Sequence, residues 1–419
     1  MKNIKNKILT LSLTASFFAV SANALNLDQA VYIALHKNYD LQAQSYDYLE
    51  SKQNIKLNDA NYLPKLDLSY AYNNRDKVNV NQSKEDATFS AKVSYNLFNG
   101  LKDISNKNSA EFLSKSSKFT LEALKQDIIL NTKKAYINYL DNVHAQETFE
   151  SEYELFEKQF IDAKNRYDQG LMARNDLLQV QVNMSNAKQN VVRAKANVKI
   201  AKFELSNILG GMDLSSENIE ELKQRDLVKR TFDKSLLEQR SEIKALKMNL
   251  ESLRNQQKAA RGSNLPKVDA SLSHNRFYED LSFNEVDSGI DNQNVAGLSA
   301  TWNLYNGGSD KTQIAIYNTR MAKLKSQLAK TTLDINLQYE NALSDLDVAN
   351  DNYKTATLAL EQAKENYNIV NNRFKEGIST STDLTDANFL LTSAKQRFSR
   401  AYFDKYISKA TLYRVVEAK

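Results

Sequence analysis

The chain has 419 residues, with 56 Lys and Arg against 51 Asp and Glu, two prolines and no cysteine. So small an excess of base gives no reason to expect a nucleic-acid partner, and the missing thiols rule out disulfides, thiolate metal sites and a lipid-modified N-terminal Cys. His36, His144 and His274 stand alone, without HExxH, GxSxG or a Gly-rich phosphate loop, so neither an enzyme nor a cofactor site is expected.

Residues 1–24 begin with Lys2, Lys5 and Lys7, run apolar from Ile8 to Val20 and end small at Ala22-Asn23-Ala24, the layout of a secretory signal peptide. The run is too short to cross a bilayer as a helix. Removing its three lysines lowers the formal charge from +5 to +2. The spacing after it is helical up to Pro64, where the period changes. Proline lacks the amide a helix interior needs and pushes its predecessor to extended geometry, so Pro64 is expected to switch the chain from helix to strand. Leu66, Leu68, Tyr70 and Tyr72 then alternate with polar residues, and Phe89, Ala91, Val93, Tyr95 and Leu97 do the same. This predicts strands over about 66–73 and 88–98, joined by a polar loop over 74–87.

A heptad region follows. Residues 101–169, without proline or glycine, predict a helix about 100 Å long at 1.5 Å per residue. Gly170 closes it and opens a tip over 170–176; a second helix is expected over 177–209, stopped by Gly210-Gly211. Residues 212–235 are polar and irregular, an expected belt between two halves.

The chain then repeats itself. "NYLPKLDLSY" (61–70) returns as "SNLPKVDASL" (263–272), 202 positions later, with Pro266 as the second helix-to-strand switch after a helix over about 236–262. "YNLFNG" (95–100) returns as "WNLYNG" (302–307), and "NRYDQGLMARND" (165–176) as "NRFKEGISTSTD" (372–383), both at 207. The second copy predicts strands over about 268–275 and 296–305 around a polar loop at 276–295, a long helix over 309–376, a tip over 377–383 and a helix over 384–416. Residues 25–211 and 236–419 are therefore read as two structural repeats, each a β-hairpin with long coiled-coil helices, mostly α with a small β part.

All four strands carry one apolar face, with Tyr95, Trp302 and Tyr305 near their ends. A half-buried sheet packed on helices would alternate in the same way, but these helices already spend their apolar stripes on one another. A tilted transmembrane β-strand in an exported protein fits better. Four strands cannot close a barrel, so the chain is expected to oligomerise; dimer and trimer both satisfy the arithmetic.

The paired "NLFNG" and "NLYNGG" and the tips "GLMARND" and "GISTSTD", in this order and at one offset, resemble the TolC family of outer-membrane efflux and secretion channels over essentially all of residues 25–419. The resemblance implies a homotrimer whose twelve-stranded barrel in the outer membrane continues into a periplasmic α-helical barrel. It implies docking to a periplasmic adaptor and through it an inner-membrane pump, with drugs or secreted proteins as cargo. It places Gly170, Leu171, Met172, Ala173, Asn175, Gly377, Ile378, Thr380, Ser381 and Thr382 at adaptor-facing tips. Asp383 and Asp386 would line the tunnel constriction as a ring that passes cations and is blocked by multivalent ones. Members of the family latch the closed tunnel with a tyrosine before the second tip glycine and an arginine after it. Here those positions are Phe374 and Ser379, while the acidic acceptor Asp176 is kept, and Arg174 is the nearby cation that would compensate. The alternative from residues alone is an exported, non-conducting coiled-coil protein such as a periplasmic adaptor or adhesin stalk.

Overall fold

The computed structural model describes residues 24–79, 82–215, 217–222, 232, 234–282, 284 and 289–417. The expected leader lies outside them except for Ala24, and so does part of the expected belt. Two short helices begin the described chain, α1 (Leu27–Lys37) and α2 (Tyr39–Asp59). Asn38 separates them: its extended backbone ends α1, and its side chain accepts from the Leu41 amide at 3.1 Å to start α2.

Both prolines follow one local plan. A single 3₁₀ turn, Ala60–Tyr62 or Gly262–Asn264, leads to an extended leucine, Leu63 or Leu265, and the strand begins directly after the proline. The strands β1 (Lys65–Asn74), β2 (Glu85–Asn99), β3 (Lys267–Tyr278) and β4 (Asn292–Thr301) form one antiparallel sheet in the order β1-β2-β3-β4. One face is apolar across the sheet: Leu66 lies opposite Val93, Val93 opposite Leu272, and Leu272 opposite Ala296. The outer edges of β1 and β4 have no strand partner among the described residues.

Three expectations about the strands change. The polar stretches at 74–87 and 276–295 are partly strand, because polar residues pair across the hairpin: Asn73 donates to Asp86 at 2.9 Å, Asn74 to Glu85 at 3.1 Å, and Arg75 forms an ion pair with Asp86. Leu97 is the extra residue of a bulge, since the register shifts between Asn96 and Phe98. Phe98, opposite Val268, takes the apolar position expected of Leu97. The fourth strand ends at Thr301, not at 305, because β3 starts at Lys267, directly opposite Thr301, and offers no ladder beyond. Trp302, Leu304 and Tyr305 are therefore outside the strand, and the Trp302 indole donates to the Asn264 carbonyl at 3.0 Å.

The helices α3 (Lys102–Asp168) and α6 (Ser309–Lys375) hold 67 residues each, about 100 Å at 1.5 Å per residue. They return through α4 (Arg174–Ile208) and α7 (Ser381–Val416). Helix α5 (Ser241–Arg261) starts later than the expected 236, after a 3₁₀ turn at Lys234–Gln239. Midway along the long helices lie two apolar clusters, and the 207 offset returns in them: Ile128, Ala135, Leu205 and Leu209 in one match Ile335, Ala342, Leu412 and Val416 in the other. In the first, Tyr136 is 1% exposed and its hydroxyl is bonded to the carbonyls of Leu25 and Glu220 at 2.9 and 2.6 Å. Beside the second, the Glu417 carboxylate accepts from the Ser241 amide at 3.1 Å and its hydroxyl at 2.9 Å, so the end of α7 caps the start of α5. Arg414 joins Asp127 and Glu242, both at 2.6 Å, and ties all three helices together.

Candidate functional site

The helix turns farthest from the sheet carry the site. Helix α3 closes at Gly170, whose φ is +72°, with the Leu171 amide donating to the Arg166 carbonyl at 2.8 Å. Helix α6 closes in the same way at Gly377, φ +78°, where the Ile378 amide donates to the Arg373 carbonyl at 2.8 Å. These backbone angles favour glycine, which explains both residues without a ligand.

Each tip is shorter than expected. Arg174, Asn175 and Asp176 form the first turn of α4, and Ser381, Thr382 and Asp383 that of α7, because three residues after each glycine suffice to reverse the chain. The two starts differ in chemistry. Ala173 precedes α4 and offers no side-chain cap. Thr380 precedes α7 and forms a capping box: the Asp383 amide donates to the Thr380 hydroxyl at 3.1 Å, and the Thr380 amide to the Asp383 carboxylate at 2.8 Å. The Thr380 amide and then its hydroxyl hold the Asp383 carboxyl below its ordinary range, and Arg373 adds to this. Asp386 is exposed one turn further along α7, on the same face as Asp383. At the tips Leu171 and Ile378, equivalent positions of the two repeats, are 74% and 63% exposed. Met172 and Ser379 are half-buried.

Arg174 is exposed and bonds neither Asp383 nor Asp386 within the described chain, and Asp176 accepts from Asn175 at 2.9 Å. The contacts that join the repeats here come from two residues of α3 that the sequence reading passed over. Arg166 donates to the Phe374 carbonyl at 3.4 Å and lies with its guanidinium 4.8 Å from the centre of the Phe374 ring, which is 5% exposed. That carbonyl belongs to the last turn of α6, the negative end of the helix dipole. Two turns deeper, Gln159 donates to the Ser381 hydroxyl at 3.1 Å and the Thr385 hydroxyl at 3.3 Å. Asn388 donates to Gln159 at 3.5 Å, leaving its own carbonyl oxygen buried and unpartnered. The signal for Arg166 was present in the sequence: "NRY" and "NRF" put an arginine before an aromatic in both repeats.

At the opposite end Tyr95 lies on the apolar face of the sheet, opposite Ala270, while Trp302 and Tyr305 lie beyond β4. The three histidines are apart: His36 contacts the Tyr32 carbonyl at 2.7 Å, His144 the Glu221 carboxylate at 2.9 Å and His274 the Asn294 side chain at 2.9 Å.

The profile of the family described as outer membrane efflux protein matches residues 9–211 and 234–416. The outer membrane protein TolC of Escherichia coli is 22% identical over 429 residues, covering 96% of this chain and 84% of that protein. The crystal structure of the Campylobacter jejuni CmeC outer membrane channel superposes with a TM-score of 0.81 at 19% identity, covering 93% of this chain and 85% of that one. The open state of the Neisseria gonorrhoeae MtrE outer membrane channel gives a TM-score of 0.76 at 18% identity, covering 93% and 88%.

Proposed function

The chain belongs to the outer membrane efflux protein family and is a protein of the outer membrane, and from that premise we propose that three copies assemble into one conduit crossing the membrane and the periplasm. Each copy gives four strands to a twelve-stranded barrel, β4 of one pairing with β1 of the next, and the helices form a periplasmic tunnel. The observation that carries this reading is the sheet itself: one face apolar, both edges open, at one end of helices about 100 Å long. Open edges are prohibitive in lipid, so closure requires other copies. Apolar residues left bare on the helices, among them Phe203 at 65% and Leu333 at 70% exposure, point the same way.

At the far end, the exposed Leu171 and Ile378 are the anchors for a periplasmic adaptor, which links the tunnel to an inner-membrane pump. Asp383 and Asp386 from three copies form a ring of carboxylates at the constriction, where cations pass and multivalent cations lodge. Asp383 is fixed in place by its capping box, so it serves as helix cap and ring member at once. Arg166 and Gln159 hold the second hairpin to the first in the closed state. Cargo moves through; no bond is made or broken.

The test is recovery of the protein from outer membranes as a trimer resistant to SDS, followed by planar-bilayer recording. Cation-selective conductance blocked by a trivalent ion is expected. A non-conducting protein absent from outer membranes would return the reading to an exported coiled-coil stalk or adaptor.

A further inference from the structure

Arg166 and Phe374 have counterparts 207 positions away, Arg373 for the arginine and Tyr167 for the ring. Within one chain only the first pairing is made. Arg166 of the first repeat reaches the aromatic of the second, whereas Arg373 and Tyr167 are both exposed, Tyr167 at 38%. The Arg373 side chain forms no hydrogen bond or ion pair among the described residues; it stands near enough to Asp383 to act on that carboxyl without bonding it. The helix ends are built alike around the two arginines, each carbonyl accepting the amide five residues on at 2.8 Å, with a longer second bond from Ser379 to Arg373 at 3.3 Å. Each guanidinium therefore leaves its helix in an equivalent setting, and a ring of alternating repeats presents an equivalent neighbour to each.

We propose that the clasp is made a second time between copies: Arg373 of one copy seats on the ring of Tyr167 of the next, so that the closed tunnel end is encircled by Arg–aromatic clasps, alternately within and between chains. This rests on the trimeric reading above. Both residues act as positioning residues for the gate. The clasp within the chain has a buried ring under a half-buried arginine, and the other pair is bare because the partner of each member is on another copy. Tyrosine serves as well as phenylalanine, since a guanidinium is drawn to the face of either ring. Opening the tunnel must break the clasps between copies, those within chains, or both, and the inter-copy set is the one that answers to assembly.

The chain has no cysteine of its own, which makes the pairing directly testable. A chain carrying Arg373→Cys and Tyr167→Cys, treated with a short bis-thiol-reactive linker in membranes, should yield covalent dimers and trimers on denaturing gels. Arg166→Cys with Phe374→Cys should link within the chain and give no ladder. In bilayers Arg373→Gln should raise the open probability by about tenfold, as expected for losing a half-buried cation–π contact in every copy. Arg373→Lys should fall between it and the parent, and Tyr167→Phe should lie closer to the parent than Tyr167→Leu. Tyr167→Leu added to Arg373→Gln should change little further, because one contact is lost once. If the substituted chains form conducting trimers but give no link between copies, or if the two substitutions add independently, the clasp is wrong while the channel stands. If the parent forms neither trimer nor channel, the trimeric reading fails first.

Discussion

Leu101 holds φ at +63° as the residue before α3, whereas its counterpart before α6 is Gly308, at +80°. The left-handed region costs a side-chain-bearing residue about 1–2 kcal/mol, so Leu101→Gly should stabilise the protein by about 1 kcal/mol after the added freedom of the unfolded chain is counted. Denaturant unfolding of the detergent-purified protein checks this. Gly100 and Gly262 are constrained differently, by contact: a Cβ on Gly262 would lie 2.4 Å from the Gly100 carbonyl oxygen. Gly262 has an ordinary helical φ of −60°, so Gly262→Ala isolates the steric term; a loss of about 1–3 kcal/mol, seen as a lower unfolding midpoint, is expected. The charge cluster at Glu242 sets a pH limit. Burial alone would raise its carboxyl, but bonds from Arg240 and Arg414 win and hold it down from 4.5 to about 2. A lowered carboxyl stabilises the fold above its unfolded pKa and loses that stabilisation as the pH falls through the folded value. Unfolding curves should therefore show stability draining between about pH 4.5 and 2, with Glu242→Gln flattening that part of the profile.

At the level of elements, what was legible in the sequence depended on whether the signal was local. Pro64 and Pro266 announce their strands because proline acts on its immediate neighbours, and Gly170 and Gly377 announce helix ends for the same reason. The bulge at Leu97 and the early end of β4 were not legible, because both are set by a partner strand more than 30 residues away in sequence. The tips were read too long because Asp176 and Asp383 suit a loop as readily as a first helical turn; geometry decided between them. In the candidate site, the residues of the tip loops could be named from motif order, whereas Arg166 and Gln159 act across more than 200 positions and left only the repeated "NR" as a trace. Thr380→Ala should remove the α7 cap and cost about 1 kcal/mol, read as easier unfolding of the tip by hydrogen exchange. Ala300→Arg, on the apolar face of β4 opposite Val268, should cost about 2–4 kcal/mol if it lies near the bilayer midplane, read as less SDS-resistant oligomer in outer membranes.

For the whole molecule, the exchange Asp383→Asn with Asp386→Asn removes charge without touching apolar packing. Oligomer yield should stay at the parent level while block by a trivalent cation in single-channel recordings weakens; unchanged block would move the constriction elsewhere. One feature of the sheet also governs how the protein is made. The central pairing joins Ala87 to Tyr278 and Asn99 to Lys267, whereas β1 with β2 and β3 with β4 are neighbours in the chain. Local hairpins form early and long loops close late, because closing a loop of many residues costs entropy before any contact repays it. The first hairpin must therefore wait, with the β2 edge unpaired as well as that of β1, until the second repeat has been made. The middle seam, not either hairpin, is the step that completes the four-stranded sheet of one copy.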